Sequence, residues 1–249
     1  MNNLIYDIGV GAGQDTYFYL NKGFNVIGIE ADPVEYHNLQ EKFATEINSG
    51  SLILVNAVAT NSVQSTVNFY RDSVFPPRSS IFHKTGMLYD IPTVNYSKLV
   101  SQFSTPYYCK IDIEGSDVNF LKSMNENLPK YTSAEVFNIN VINQLQEIGY
   151  TKFKLVNQSY SYWLHSRYAY QKTFENSLTE GKTFVGELPI WLNEKGLLEW
   201  SGLFGQELDN DWVDFNKVKY MWRIGQEFNS KFPGSFSGGA PVYDCHATF

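Results

Sequence analysis

The sequence of 249 residues predicts an α/β fold with an inserted segment, and three observations lead to this prediction. Short apolar runs alternate with helical segments as far as Tyr160, which is the order that builds a mostly parallel sheet. A glycine-rich turn follows the first apolar run, as it does where a strand leads into a helix at a nucleotide site. Beyond Tyr160 the alternation stops, and all five tryptophans lie between Trp163 and Trp222. We therefore expect a core at residues 1–159, an inserted aromatic-rich cap at 160–239 and a final core strand at 240–249.

The core elements follow one another in a regular order. The sequence predicts strands at residues 4–8, 24–29, 52–59, 63–70, 107–113, 131–137 and 153–157. It predicts helices between them at residues 14–21, 33–47, 117–125 and 139–148. Residues 72–89 show no period and contain Pro76 and Pro77, so we expect a long loop there. The last strand, at 242–247, is expected to pair antiparallel with the strand at 153–157, which would place the cap over the carboxyl ends of the strands.

The most informative motif is the glycine turn after the first strand. It reads D-I-G-V-G-A-G over residues 7–13, and Glu30 follows the second predicted strand. Glycine lets the backbone turn sharply and lets a ligand approach without a Cβ in the way. An acid at the tip of the second strand can accept hydrogen bonds from both hydroxyls of a ribose. The motif therefore predicts a cofactor that contains adenosine, with a purely structural turn as the alternative.

Two kinds of adenosine cofactor compete for this motif. A dinucleotide site usually has the spacing G-x-G-x-x-G, which requires a glycine at position 14, where this chain has Gln14. The spacing D-x-G-x-G-x-G is instead typical of sites for S-adenosylmethionine (SAM), which lacks a pyrophosphate and carries an ammonium group. Asp7 would accept a hydrogen bond from that ammonium directly or through water. The sequence favours SAM, and an NAD-dependent oxidoreductase is the rival prediction.

A second motif, K-I-D-I-E-G-S-D at residues 110–117, ends a predicted strand. A strand period of two places Asp112 and Glu114 on one face of it. Two carboxylates beside the cofactor could orient an acceptor hydroxyl, remove its proton or hold a divalent cation. The alternative is an ion pair with Lys110 together with a helix N-cap at Ser116 or Asp117.

Together these motifs resemble the FkbM family of class I SAM-dependent methyltransferases, over residues 4–157. The family typically shows D-V-G-A-N-x-G-Q-x-T, then E-P-x-P, then V-K-I-D-V-E-G-x-E. This chain reads D-I-G-V-G-A-G-Q-D-T, I-E-A-D-P and K-I-D-I-E-G-S-D, so the matching positions are Gln14, Thr16, Glu30, Pro33, Lys110, Asp112, Glu114 and Gly115. The family's A-N-x is replaced here by V-G-A, which restores the general methyltransferase glycine pattern, and Asp117 stands where the family often has Glu.

The resemblance implies a Rossmann-like sheet and O-methylation of a hydroxyl on a sugar, glycan or secondary metabolite. The residues expected around the methionine end, the ribose and the adenine of SAM are Asp7, Gly9, Gly11, Gly13, Glu30, Ala31, Asn56 and Ala57. Asp112 is expected nearest the transferred methyl group, as a cofactor-binding and catalytic residue, with Glu114 behind it. Methyl transfer is an in-line displacement, so positioning supplies much of the catalysis and a base serves a hydroxyl that is not already activated. A SAM-binding module without turnover is a further alternative.

The four histidines offer other candidate bases. His83 lies in the long loop, which could close over the site, and it joins Asp112 and Glu114 among the candidate catalytic residues. His165 opens the aromatic segment, while His37 and His246 are expected on a helix and on the last strand. No group of His and Cys has the spacing of a zinc site.

Composition limits the partners of the chain. The formal net charge is −7 with no run of like charges, so nucleic acid and anionic membranes are not expected partners. We expect no signal peptide, since the first predicted strand begins at Leu4, and no apolar run is long enough to span a bilayer. Cys109 and Cys245 fall in predicted strands as small buried side chains, which indicates a reduced, cytoplasmic setting. The acceptor is expected to be a small molecule or glycan, and no motif specifies which one or the oligomeric state.

Overall fold

The computed structural model describes residues 3–72, 79, 81–82, 86–157, 178–179, 182–183, 202–208, 210–231 and 243–249. Its strands are β1 (Leu4–Ile8), β2 (Asn25–Glu30), β3 (Leu52–Asn56), β4 (Val58–Ala59), β5 (Thr66–Arg71), β6 (Met87–Val94), β7 (Tyr108–Ile111), β8 (Tyr131–Glu135), β9 (Lys152–Asn157), β10 (Leu178–Thr179), β11 (Lys182–Thr183) and β12 (Tyr243–Thr248). Its helices are α1 (Gln14–Asn21), α2 (Pro33–Lys42), α3 (Ala44–Ser49), α4 (Tyr96–Phe103), α5 (Asp117–Leu121), α6 (Ile139–Glu147) and α7 (Phe215–Lys231).

The main sheet has seven strands in the order β3-β2-β1-β7-β8-β12-β9. The five strands from β3 to β8 are parallel, and β12 runs antiparallel to both β8 and β9. The predicted fold class is confirmed: this is a Rossmann-like α/β sheet in which the last strand of the chain is antiparallel. The expected pairing of that strand with the one at 153–157 is also confirmed.

The central strands are apolar because helices cover both faces of the sheet. Ile5 of β1 belongs to one core cluster, which includes Phe18 of α1, whereas Ile8 belongs to a second cluster with side chains of α4, α5 and α6. Asp7 is the exception in β1, since it is fully buried and charged. A buried charge needs partners, so this position points to the site.

Among the described residues, no helix is both long and apolar enough to cross a bilayer.

Two predicted elements are divided in the structure. The helix expected at 33–47 is interrupted at Phe43, whose backbone leaves the helical region (φ −110°, ψ 27°) between α2 and α3. The Phe43 side chain is buried beside Gly13, so packing under the glycine turn overrides helix continuity. The strand expected at 52–59 is divided at Ala57 into β3, which pairs with β2 in the main sheet, and β4, which pairs with β6 in a second sheet.

The long loop expected at 72–89 is shorter than predicted, since Met87 already belongs to β6. This strand pairs antiparallel with β5 and parallel with β4 in a small separate sheet. Asp90 and Pro92 interrupt its apolar pattern, which explains why the sequence did not predict a strand there. Helix α4 follows directly, capped by the Asn95 side chain, which accepts a hydrogen bond from the Lys98 N–H at 2.9 Å.

The described part of the segment expected to form a cap packs on the core. Phe204 is fully buried and stacks on Tyr108 with ring centroids 4.0 Å apart. Val213 forms a β-bridge with Phe153 at the open edge of β9. Tyr108 and Phe153 lie near the amino ends of their strands, so Phe204 and Val213 contact the sheet at that end, whereas the cap was expected over the carboxyl ends. Most of residues 158–201 lies outside the described residues.

Candidate functional site

The candidate site lies where the order of the strands reverses. The chain proceeds from β1 outward to β2 and β3 on one side, and β7 and β8 follow on the other side. In open α/β sheets, ligands bind outside the carboxyl ends of the strands at such a point. The glycine turn leaves the carboxyl end of β1, and Asp112 immediately follows the end of β7. The two motifs that the sequence singled out are therefore neighbours.

The glycine turn requires glycine for two different reasons. Gly9, Gly11 and Gly13 all have positive φ angles, of 88°, 56° and 85°. A Cβ on Gly9 would in addition overlap the carbonyl oxygen of Asp112, whereas a Cβ on Gly11 would meet nothing within 4 Å. Gly9 thus permits the loop after β1 to touch the loop after β7, and Gly11 leaves open space above the turn.

Glu30, at the end of β2, holds the glycine turn from the other side. Its Oε2 accepts a hydrogen bond from the Gly11 N–H at 2.9 Å, and its Oε1 accepts one from the Asp32 N–H at 2.8 Å. The side chain is buried, and burial raises the pKa of Glu30 to about 7. Each carboxylate oxygen keeps a further lone pair, so ribose hydroxyls could be bound without displacing these backbone donors.

The three residues expected near adenine shape the turn after Glu30. Asn56 donates from Nδ2 to the carbonyl oxygens of Glu30, at 2.9 Å, and Ala31, at 3.2 Å. Ala57 is buried, and Ala31 is partly buried against the small cluster that contains Val58. The structure therefore places all three beside Glu30, where they support the backbone at the end of β2.

Asp7 lies inside the sheet rather than at an open surface. Its Oδ2 accepts a hydrogen bond from Thr16 Oγ1 at 2.5 Å, and its Oδ1 lies 3.8 Å from Lys110 Nζ. The carboxylate has no exposed surface, and burial raises the pKa of Asp7 to about 6. Its role in binding an ammonium group stays a prediction, since its contacts here are with Thr16 and Lys110.

Lys110 joins Asp7 to the candidate catalytic residue. Its Nζ lies 2.9 Å from Asp15 Oδ2 and 3.3 Å from Asp112 Oδ2. Asp112 is the open member of the group, with 28% of its side chain exposed, against 11% for Asp15 and Lys110. The expected ion pair of Lys110 with an acid is present, and it coexists with the position of Asp112 beside Gly9. Asp15 was not predicted, although a charged residue in the first turn of α1 is a signal that could have identified it.

Further carboxylates surround Asp112 at the carboxyl edge. Glu114 is exposed and has a left-handed backbone (φ 52°), and loss of hydration together with the charge of Asp112 raises its pKa to about 7. Asp117 is buried, with a pKa raised to about 8 by burial and then by Asp112. Glu135, at the end of β8, has a pKa raised to about 10 by burial and by the charge of Asp112, Asp244, Asp117 and Glu114. The sequence did not single out Glu135, although its place at a strand end is the signal that could have done so.

Two further predictions concern the base and the metal. His83 and His165 lie outside the described residues, so their place relative to Asp112 is not described. His246 is buried in β12, and burial followed by the charge of Lys154 lowers its pKa to about 3. Within the described ranges, no group of three or more His, Cys, Asp or Glu side chains has an arrangement that could hold a metal ion.

A comparison with protein families identifies one family over most of the chain. A family model described as the methyltransferase FkbM domain matches residues 7–172, which include the glycine turn, Glu30 and Asp112. The matched range therefore contains every element from α1 to β9 and the last two residues of β1. No curated protein matches the chain significantly.

Several solved structures are similar to the chain at low sequence identity. A precorrin-6y C5,15-methyltransferase from Geobacter metallireducens is 10% identical, over 99% of this chain and 78% of that one, with a TM-score of 0.39. A precorrin-8w decarboxylase from Methanobacterium thermoautotrophicum is 11% identical, over 63% and 68%, with a TM-score of 0.39. The N-terminal domain of human METTL16 in complex with SAH is 14% identical, over 63% and 56%, with a TM-score of 0.37. With TM-scores below 0.5, the strand order itself is the basis for the fold class.

Proposed function

Because the chain belongs to the FkbM methyltransferase family, we propose that it transfers the methyl group of SAM to a hydroxyl of a sugar, glycan or secondary metabolite. The observation that carries this proposal is the contact between the glycine turn and Asp112, which Gly9 permits by lacking a Cβ. It brings a turn suited to the methionine end of SAM beside the partly exposed carboxylate of Asp112. The glycine turn on one side of the contact suits the methyl donor, and the carboxylate of Asp112 on the other side suits the acceptor hydroxyl.

The proposed roles follow from exposure and hydrogen-bonding capacity. Glu30 binds the ribose hydroxyls through the lone pairs that Gly11 and Asp32 leave free. Asp112, the most exposed of the carboxylates that contact Lys110, accepts the proton of the acceptor hydroxyl while the hydroxyl oxygen attacks the methyl group. SAM, when bound, supplies a methyl group on a sulfonium, which leaves as a neutral thioether. Glu114 is a second candidate acceptor for that proton, with a pKa raised to about 7.

The setting and the partners are part of the same proposal. A small molecule or a glycan is favoured over nucleic acid, because the formal net charge is −7 and carboxylates surround Asp112. Cys109 and Cys245 are both buried free cysteines, which supports a reduced, cytoplasmic setting. A divalent cation is a further candidate component of the site, and a requirement of catalysis for Mg²⁺ would establish it.

Isothermal titration tests the cofactor. The chain is expected to bind SAM and S-adenosylhomocysteine, and NAD is expected not to compete with either. Tight NAD binding without SAM binding would instead favour the rival oxidoreductase. Glu30→Ala is expected to weaken SAM binding by about tenfold or more, because the ribose loses a charged acceptor.

Methyl transfer from radiolabelled SAM tests the reaction. A panel of sugars, oligosaccharides and hydroxylated polyketides, with amines as the contrasting class, is expected to show labelling of a hydroxyl. Asp112→Asn should lower kcat by about a hundredfold or more, and SAM affinity by about tenfold at most. Loss of activity with a chelator and its return with Mg²⁺ would establish a metal requirement. SAM binding without turnover on any acceptor would favour the non-catalytic module.

A further inference from the structure

One buried ammonium group connects the two halves of the candidate site. Lys110 Nζ lies within 4 Å of carboxylate oxygens from three elements: Asp7 at the end of β1, Asp15 in the first turn of α1 and Asp112 after β7. Lys110 and Asp7 are directly paired residues of β7 and β1. The ammonium therefore occupies the junction of the glycine turn, its helix and the strand that leads to Asp112.

Two of the three carboxylates hold the ammonium on its buried side. Asp7 is fully buried and is fixed by the hydrogen bond from Thr16, and Asp15 makes the shortest contact with Lys110, at 2.9 Å. Burial by itself lowers the pKa of a lysine, but the three carboxylates raise the pKa of Lys110 well above its usual value. The three carboxylates therefore favour the charged, ammonium form of Lys110.

The third carboxylate is the one that faces the open side. The backbone of Asp112 is held by its N–H, which donates to the Ile8 carbonyl at 2.9 Å, and by the close approach of its carbonyl to Gly9. The remaining freedom is in its side chain, which is 28% exposed and which contacts Lys110 at 3.3 Å through Oδ2. An ion pair to a fixed partner removes that freedom, and it leaves Oδ1 for a ligand.

We propose that Lys110 is the positioning residue that sets the direction of the Asp112 carboxylate toward the cofactor and acceptor. This inference rests on the proposed function and adds to it a residue that touches neither substrate nor cofactor. It also explains why a lysine stands in β7 among buried side chains, where an apolar residue would cost less desolvation. Lys110 acts through Asp112, so its effect on binding should require Asp112.

A double-mutant cycle tests this dependence, with SAM as the probe in isothermal titration. Lys110→Met and Asp112→Asn are each expected to weaken SAM binding by about tenfold, and the double variant to bind no more weakly than Asp112→Asn alone. Independent effects, which would multiply to about a hundredfold loss in the double variant, would overturn the proposal.

The matched control is a second buried lysine. Lys154 in β9 is 3% exposed and donates to the carbonyl oxygens of Gly205, at 3.1 Å, and Leu208, at 2.8 Å. Lys154→Met is expected to lower thermal stability while leaving SAM affinity within about threefold of wild type. If it weakens SAM binding as much as Lys110→Met does, the Lys110 effect is a general loss of packing and the proposal fails.

A second variant covers the case in which Lys110→Met does not fold. Lys110→Arg keeps the charge, and we expect SAM affinity within about threefold of wild type, with the near-ultraviolet circular dichroism retained. The folded Lys110→Arg substitution is compared in two backgrounds, wild type and Asp112→Asn. A loss of tenfold or more in SAM affinity in both backgrounds would contradict a role through Asp112.

A crystallographic comparison separates this inference from the proposed function. If the wild-type protein binds no SAM, the proposed function fails, but the position of Asp112 can still be measured. Wild-type crystals are expected to show one Asp112 rotamer in contact with Lys110. Crystals of Lys110→Met should show a different Asp112 rotamer or several rotamers. The same single rotamer in both would overturn the positioning role.

Discussion

Glu30 illustrates at the residue scale how one buried carboxylate can serve the fold and a ligand together. Its two oxygens accept backbone N–H groups of Gly11 and Asp32, so it fixes the glycine turn and the start of α2. Burial raises its pKa to about 7, which places its titration near physiological pH. Binding of a ribose should therefore depend on pH in a way that an exposed glutamate would not cause.

This dependence can be measured with methylthioadenosine, which contains the ribose and no amino acid. Ribose hydroxyls donate more strongly to an ionised carboxylate, so its affinity for the wild-type protein should rise about tenfold from pH 6 to pH 8. Glu30→Gln should bind more weakly and show no such rise. Titration calorimetry at several pH values provides the measurement, and a flat profile in the wild type would contradict ribose binding by Glu30.

Glu135 gives a prediction of stability at the same scale. Its pKa is raised to about 10, so the folded chain holds this proton more tightly than the unfolded chain, whose value is the ordinary 4.5. The stabilisation is complete below the unfolded value and is lost as pH rises toward 10. Glu135→Gln cannot ionise, so its stability relative to wild type should increase by about 1 to 3 kcal/mol between pH 5 and pH 8.

Urea denaturation at the two pH values measures this difference. The matched control is Glu147→Gln on α6, which removes a solvent-exposed carboxylate, and the change for Glu135→Gln is measured relative to this variant. A constant offset for Glu135→Gln would mean that Glu135 does not hold its proton more tightly in the folded state than in the unfolded state.

At the scale of elements, the turn between β1 and α1 is defined by what surrounds each glycine. A Cβ on Gly9 would overlap the Asp112 carbonyl, whereas a Cβ on Gly11 would meet open space. Both residues have positive φ angles, so both substitutions carry backbone strain and only one carries a collision. This contrast separates the contact between two loops from the conformational preference of glycine.

Thermal denaturation of two alanine variants should reveal the contrast. Gly9→Ala is expected to lose more than about 3 kcal/mol of stability, because backbone must move against backbone at the Asp112 carbonyl. Gly11→Ala is expected to lose about 1 to 2 kcal/mol, the cost of a left-handed alanine. Equal losses would show that the approach of the Asp112 loop to Gly9 is not a constraint on the fold.

At the scale of the whole molecule, residues distant in sequence complete the core of the sheet. Phe204 fills a space among aromatic rings that include Tyr19, Phe24 and Tyr108. Its neighbour Glu207 forms a buried ion pair with Lys22. The segment at 202–208 is therefore part of the structural core, although it follows the predicted sheet domain by more than forty residues.

Removing this ring should show that dependence. Phe204→Ala is expected to lower the free energy of unfolding by about 3 to 5 kcal/mol, since a fully buried phenylalanine leaves a cavity. Phe137→Ala, at a position 53% exposed, is the control and should change it by less than about 1 kcal/mol. Urea denaturation measures both, and similar small losses would mean that the 202–208 segment is dispensable.

The sequence by itself determined the sheet and the location of the candidate site. The apolar strands alternate with helices in local order, and the carboxyl ends of β1, β2 and β7 had to meet because parallel strands share one edge. Gly9, Glu30 and Asp112 could therefore be assigned to one place from motifs alone. The pattern of residues 160–239, by contrast, contains no sign that Phe204 is buried among the aromatic rings of the core.

Only the tertiary structure decided how the charged residues act on one another. Lys110 stands far along the chain from Asp7 and Asp15, and its contacts depend on the register of β1 with β7. Burial raises the pKa of Glu135, and the carboxylates of residues 112–117 and of Asp244, which are distant from it in sequence, raise it further. Burial and through-space charge are not properties of a local pattern, so a sequence can identify such residues without revealing which of them are coupled.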